Sequence, residues 1–290
     1  MAVDPRQGED VAVRHLVKLG YVDPDEAAAR RAELRRRLEA ELRSVIELVR
    51  GGGGAEAIDV LDRLAGEDPD WISPRQLLAE IHFRGGNWQV ARQHLDWLAH
   101  HNVVTPRLAV MTASMALARR DLRGALADLE YARHVDSALA GVQTLLGTVQ
   151  MRLGRWDAAE DAFGLALRQN PTDARALDGL SAVAVHRRDF DDAAHWALKA
   201  LEHDIRLFRA HYHLGMALVH LDRTQAAAEA FMTCTRLDPL RAAPFRWLSR
   251  IANDQRGDSI RAAEYRDRGR EIIRQRRSTR ENSRPARPFG

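Results

Sequence analysis

Apolar residues recur along most of this chain at i, i+3, i+4 and i+7, in runs separated by short breaks. That spacing predicts amphipathic helices. Between residues 140 and 173, Leu145, Leu146, Val149 and Leu153 share one helical face, and Gly154 ends the run. Ala158, Ala159, Ala162, Phe163 and Ala166 then line a second helix, which Pro171 stops. Two such helices joined by a tight turn form a hairpin, and extended β-rich stretches are missing from the sequence.

The hairpin repeats. Gapless blocks of 34 residues begin at Leu38, Ile72, Pro106, Ala140, Ala174, Phe208 and Ala242. Their twentieth places hold Ala57, Ala91, Ala125, Ala159, Ala193 and Ala227, and then Arg261, which departs from the column. The eighth places read Val45, Ala79, Ala113, Gly147, Ser181, Gly215 and Ser249, nearly all small. The twenty-fourth places read Leu61, Leu95, Leu129, Phe163, Ala197, Phe231 and Tyr265, and Pro69, Pro171 and Pro239 share the thirty-second. Small residues at two fixed places let helix axes approach closely, and a larger side chain beside them fills the remaining space.

These columns resemble the tetratricopeptide repeat family. The block 140–173 carries the family's Leu146, Gly147, Ala159, Phe163, Ala166 and Pro171. The block 208–241 carries Leu214, Gly215, Ala227, Phe231 and Pro239, with Cys234 where the family usually has alanine. The resemblance covers residues 38–275 and implies an all-α fold, a right-handed α-solenoid of about seven helical hairpins with a C-terminal capping helix. The expected division is an N-terminal segment (1–22), a lead-in helix (23–37), the repeat array with its capping helix (38–277) and a disordered basic tail (278–290).

The ends carry their own signals. Asp10 can cap a short helix over Val11–Leu19 that Gly20 closes, and Asp23-Pro24-Asp25-Glu26 starts a second helix reaching Arg50. The four glycines from Gly51 to Gly54 follow a helix and precede Ala55-Glu56, so they read as a hairpin turn and not as a phosphate loop. Asp258 or Ser259 starts the expected capping helix, which reaches Arg277.

The segment Val11–Asp25, with Leu19-Gly20-Tyr21, also resembles the stretch that closes the catalytic domain of some alkaline-phosphatase-superfamily hydrolases bearing tetratricopeptide tails. That likeness implies an alternative role as the C-terminal regulatory or targeting region of a phosphodiesterase-like or sulfatase-like enzyme.

Composition narrows the chemistry. Lys18 and Lys199 are the only lysines, and the excess of arginine reads as a GC-rich, bacterial coding sequence. From Arg261 onward ten arginines face four carboxylates, which raises nucleic-acid binding as a third and weaker reading. Cys234 is the single cysteine, so no internal disulfide or cysteine metal cage is expected. A cytoplasmic location is expected, or export as part of a larger secreted hydrolase.

Twelve histidines bring no HExxH motif, and no cofactor or metal set is expected. Gly179-Leu180-Ser181-Ala182-Val183 lacks the closing glycine of a nucleophile elbow, and no catalytic constellation is read in this chain.

The resemblance also implies a concave groove lined by the first helices. On this sequence the lining residues are Arg107, Val110, Ser114, Thr144, Thr148, Arg152, Arg175, Asp178, His186, Arg209, Tyr212, Met216, His220, Arg246 and Arg250. The expected partner is a protein or peptide segment, acidic or ending in its C-terminal carboxylate, because arginine forks match carboxylates and phosphates. The asparagine and lysine with which chaperone-tail clamps of this family bind are missing here: the ninth places include Ser114, Thr148, Ala182, Met216 and Arg250.

Overall fold

A computed structural model describes residues 24–282 apart from Pro69 and Gly257. Among them every regular element is an α-helix. In chain order these are α1 (Pro24–Arg50), α2 (Gly54–Glu67), α3 (Ile72–Arg84), α4 (Trp88–His100), α5 (Pro106–Ala118), α6 (Leu122–Val135), α7 (Val142–Arg152), α8 (Trp156–Gln169), α9 (Ala174–Arg187), α10 (Phe190–His203), α11 (Phe208–His220), α12 (Thr224–Leu237), α13 (Ala242–Arg256) and α14 (Ser259–Asn282). Five first helices (α3, α5, α9, α11 and α13) begin at the first residue of a sequence block. The fold is an all-α helical-repeat solenoid.

Contacts divide the chain into two compact units, residues 1–115 and 116–290. In the first unit α1 packs on α2, and α3 pairs with α4. In the second, α7 pairs with α8, α9 with α10, α11 with α12 and α13 with α14, while α9 also touches the first helices α7 and α11.

The short helix expected over Val11–Leu19 lies outside the described residues. Ser278–Asn282, expected in a disordered tail, instead continue α14. No glycine or proline interrupts the sequence between Gly269 and Pro285, so nothing local stops the helix earlier.

The alanine column explains the pairing. Ala57, Ala91, Ala125, Ala159, Ala193 and Ala227 are all 0% exposed. Beside them the two glycines of the eighth place stand opposite the two phenylalanines of the twenty-fourth. Gly147 and Gly215 accompany Phe163 and Phe231, Val45 and Ala79 accompany the smaller Leu61 and Leu95, and Ser181 departs from this trade in accompanying Ala197. A Cβ added to Gly147 would stand 2.6 Å from Phe163 Cε1, and one on Gly215 2.8 Å from Phe231 Cε1. The Phe163 ring also leaves no room for a Cβ on Gly179 of α9, so α7 and α9 both meet it at bare backbone.

Ser181 Oγ donates to Ala193 O at 2.8 Å, tying the eighth place to the twentieth directly. In the last hairpin Ser249 Oγ makes the same contact, at 2.7 Å, to Ala262 O. Ala262 is buried and Arg261 exposed, so the alanine is displaced by one residue and not lost. The helix cap moves with it: Asp258 accepts from Arg261 N, whereas Asp121 and Asp189 cap their helices one place earlier in the block. One residue has therefore been inserted between Ser249 and Asp258.

The turns repeat as faithfully as the core. Gly52, Gly86, Arg120, Gly154, Arg188 and Asp222, each fifteenth in its block, all have positive φ, from 57° to 93°. The next residue's N–H returns to the eleventh place, as in Arg155 N to Gln150 O (2.9 Å) and Asp189 N to Ala184 O (2.9 Å). This is a Schellman closure, which needs a left-handed residue just past the helix end. Between hairpins, Asp136, Asn170, Asp204 and Asp238 each accept from the N–H two residues on, which bends the chain toward the next helix.

Candidate functional site: an arginine cluster on the first helices

Within residues 116–282, Arg152 at the end of α7 lies near enough to Arg209 of α11 and to Arg120, just past α5, for their charges to act on it. Arg152 closes α7, and its Nη1 donates to Leu117 O at 2.9 Å, satisfying a carbonyl in the last turn of α5. Burial lowers the proton affinity of the Arg152 guanidinium, and the positive charges of Arg209 and Arg120 lower it further. Three cations thus share a neighbourhood, and no carboxylate contributes to holding the charge of Arg152.

Arg209, near the start of α11, is anchored differently. Its Nε lies 3.1 Å from Asp178 Oδ2, and Asp178 is only 2% exposed. His213, one turn further along α11, places Nδ1 2.7 Å from Asp178 Oδ1. Asp178 is therefore a buried anchor between α9 and α11 and not an open groove position. A carboxylate this deeply buried needs such partners, because an unpaired buried charge costs several kcal/mol. The anchor fixes one edge of Arg209 and leaves the side chain 41% exposed.

Arg120 occupies a left-handed position (φ 65°), where the comparable turns at Gly52, Gly86 and Gly154 use glycine. A side chain there costs about 1 kcal/mol relative to glycine. Sequence reasoning missed Arg120 because it lies beyond the end of α5.

The other expected groove residues take varied settings. Thr144 Oγ1 donates to Asp173 Oδ2 (2.6 Å), clipping α7 to the capping residue of α9. Thr148 and Ser114 donate to carbonyls one turn back in their own helices, Thr144 O and Val110 O. Tyr212 accepts from Trp247 Nε1 at 3.1 Å and meets the Phe231 ring edge-on, and Met216 packs against the same core.

His186 stacks on Trp156 at 3.8 Å and His220 on Phe190 at 4.1 Å. Each joins a first helix to the second helix of the preceding hairpin. Arg175 and Arg246 are exposed, Arg250 pairs with Asp254 at 3.4 Å, and in the other unit Arg107 lies 3.6 Å from Glu80. Of the expected arginines, Arg209 lies near enough to Arg152 for its charge to act on it.

Among the described residues no group of three or more His, Cys, Asp or Glu is placed to hold a metal ion, and no helix is long and apolar enough to cross a membrane. Cys234 is fully buried, its Sγ 3.5 Å from Phe208 O, and burial pushes its thiol up to about 12.

Comparison with known proteins agrees with the helical-repeat fold. Tetratricopeptide repeat models match residues 144–206 and 208–239. No curated protein sequence matches the chain. Among solved structures, a chain of the APC/C hetero-tetramer Cut9–Hcn1 aligns over 79% of this chain and 45% of its own, with TM-score 0.67 and 15% identity. PilF of Pseudomonas aeruginosa aligns over 58% and 76%, with TM-score 0.53 and 18% identity. A MamA RS-1 double mutant aligns over 60% and 97%, with TM-score 0.50 and 21% identity. At these identities the likeness establishes the fold. Residues 144–206 and 208–239 of this chain are tetratricopeptide repeats.

Proposed function

We propose that the chain captures an extended, acidic segment of a partner protein on the first helices of residues 116–282, with an anionic group of that segment set against Arg120, Arg152 and Arg209. The observation that carries this reading is the shared field of the three arginines. Buried Asp178 engages one edge of Arg209, and Arg152 meets a backbone carbonyl, which leaves net positive charge for a ligand to neutralise. Arginine's planar fork suits a carboxylate or phosphate, and each charge-assisted hydrogen bond is worth about 1.5–3 kcal/mol.

The test uses the full chain and fluorescently labelled acidic peptides, half with a free C-terminus and half amidated. Binding should be measurable by anisotropy and should weaken as salt rises. Arg152→Glu should lower affinity about tenfold or more while the helical circular dichroism stays unchanged. Equal affinity of that variant and the parent chain would refute the site. Arg209 is a poorer choice for replacement, because its loss also strands the buried Asp178 carboxylate.

A further inference from the structure

One interior departs from the repeat. At the fourth and eleventh places of a first helix, α9 buries Leu177 and Ala184. In α11 the eleventh place is buried Leu218, and the fourth is His211, whose Nε2 is satisfied 2.8 Å from Ile205 O. At the same two places α3 carries Arg75 and His82. Arg75 Nε and His82 Nδ1 are the two buried side-chain nitrogen or oxygen atoms without a hydrogen-bond partner among the described residues. His82 is 8% exposed.

The surroundings add charge and little compensation. His94 of α4 lies with its ring parallel to that of His82, centroids 5.9 Å apart, at a place where α8 and α12 bury Ala162 and Ala230. The Arg75 guanidinium sits over Trp97 of α4 at 4.3 Å, and Trp97 stacks on His101 at 3.7 Å. From α2, Asp62 is the acid whose charge acts on His94. Helix α5 contributes Leu108, Met111 and Met115 to the same core. The α3–α4 interior therefore holds one permanent cation and two imidazoles, with His101 beyond Trp97 and Asp62 acting against them at His94.

We infer that this cluster makes the α3–α4 hairpin acid-sensitive: protonation of His94 in mild acid, against the buried His82 ring and the Arg75 cation, loosens residues 72–100 while the hairpins of residues 116–282 hold. An unsatisfied buried polar atom already costs about 1–3 kcal/mol. A proton on the His94 ring adds a charge near Arg75, at a place where α8 and α12 bury Ala162 and Ala230. Burial holds His94 below the usual imidazole range, Asp62 opposes this, and His82 and Arg75 reinforce it. A base weakened by folding contributes stability that is complete above its unfolded value of about 6.5. That contribution is lost as pH falls from there toward the folded value.

The test is hydrogen–deuterium exchange of the full chain at about pH 7.5 and about pH 5.5, converted to protection factors to remove the intrinsic pH effect. Residues 72–100 should lose protection at the lower pH, and residues 142–237 should keep theirs. His94→Ala, which installs the residue that α8 and α12 bury at the same place, should abolish that loss. His94→Ala combined with His82→Leu, the residue α11 buries as Leu218, should abolish it equally, which covers the case of one poorly folded variant. Equal protection of residues 72–100 at both pH values, a loss spread evenly over the chain, or an undiminished loss in the variants would overturn the inference.

Discussion

Gly147 and Gly164 stand in the two helices of one hairpin, and replacing each with alanine separates packing from helix propensity. Both substitutions gain the same intrinsic preference, since alanine is better than glycine in a helix by about 0.8–1.0 kcal/mol. Their surroundings differ. A Cβ on Gly164 would meet only the tip of the Arg168 side chain, at 3.8 Å. A Cβ on Gly147 would lie 2.6, 2.7 and 2.9 Å from three atoms of the Phe163 ring. That ring is 1% exposed and is confined on α9 by Gly179, so it cannot retreat freely. Relieving the overlap requires a shift of about 1 Å, and overpacking of this kind costs about 1–3 kcal/mol. Gly164→Ala should therefore stabilise the chain, and Gly147→Ala should fall below it by about 1–3 kcal/mol. Urea unfolding followed by circular dichroism measures both. If Gly147→Ala stabilises as much as Gly164→Ala, the ring-on-backbone contact does not exist in solution.

Arg120→Glu should mirror Arg152→Glu by weakening acidic-peptide binding without loss of helicity, and a variant that still binds like the parent would remove Arg120 from the site. Exchange of residues 72–100 should respond to acid as argued above, and the chain carrying both His82→Leu and His94→Ala should not. Cys234 should resist a thiol reagent at about pH 8 in the folded chain and react quickly after denaturation, because burial holds it in the thiol form; equal rates would contradict this. Cys234→Ala, which installs the residue that Ala132, Ala166 and Ala200 supply at the same place, should change stability by about 1 kcal/mol or less.

Most of the fold was legible because the repeat oversamples it. A single buried alanine says little, but Ala57 to Ala227 at one spacing specify a surface that must admit another backbone. What stayed hidden were features that act through geometry. The one-residue insertion after Ser249 made Arg261 look like a break, whereas Ala262 had taken over the buried slot. The left-handed turn column mixes glycine with Arg120, Arg188 and Asp222, so composition alone masks it.

The site was less legible for the same reason. Assigning groove places by register put Arg152 and Arg209 in one expected set, but it could not distinguish Asp178, which turns inward, from positions that face solvent. Nor could it foresee that His186 and His220 would spend their rings on Trp156 and Phe190. The likeness to hydrolase tails rests on residues 11–25, nearly all of which lie outside the described residues.

A double-mutant cycle between Gly147→Ala and Phe163→Leu tests most directly whether volume is traded between the eighth and twenty-fourth places. Leucine is what Leu61 and Leu95 supply opposite Val45 and Ala79, so the smaller side chain should make room for the added methyl. The account predicts that Gly147→Ala costs about 1 kcal/mol or more less in the Phe163→Leu background than in the parent chain. An identical effect of Gly147→Ala in both backgrounds would contradict it.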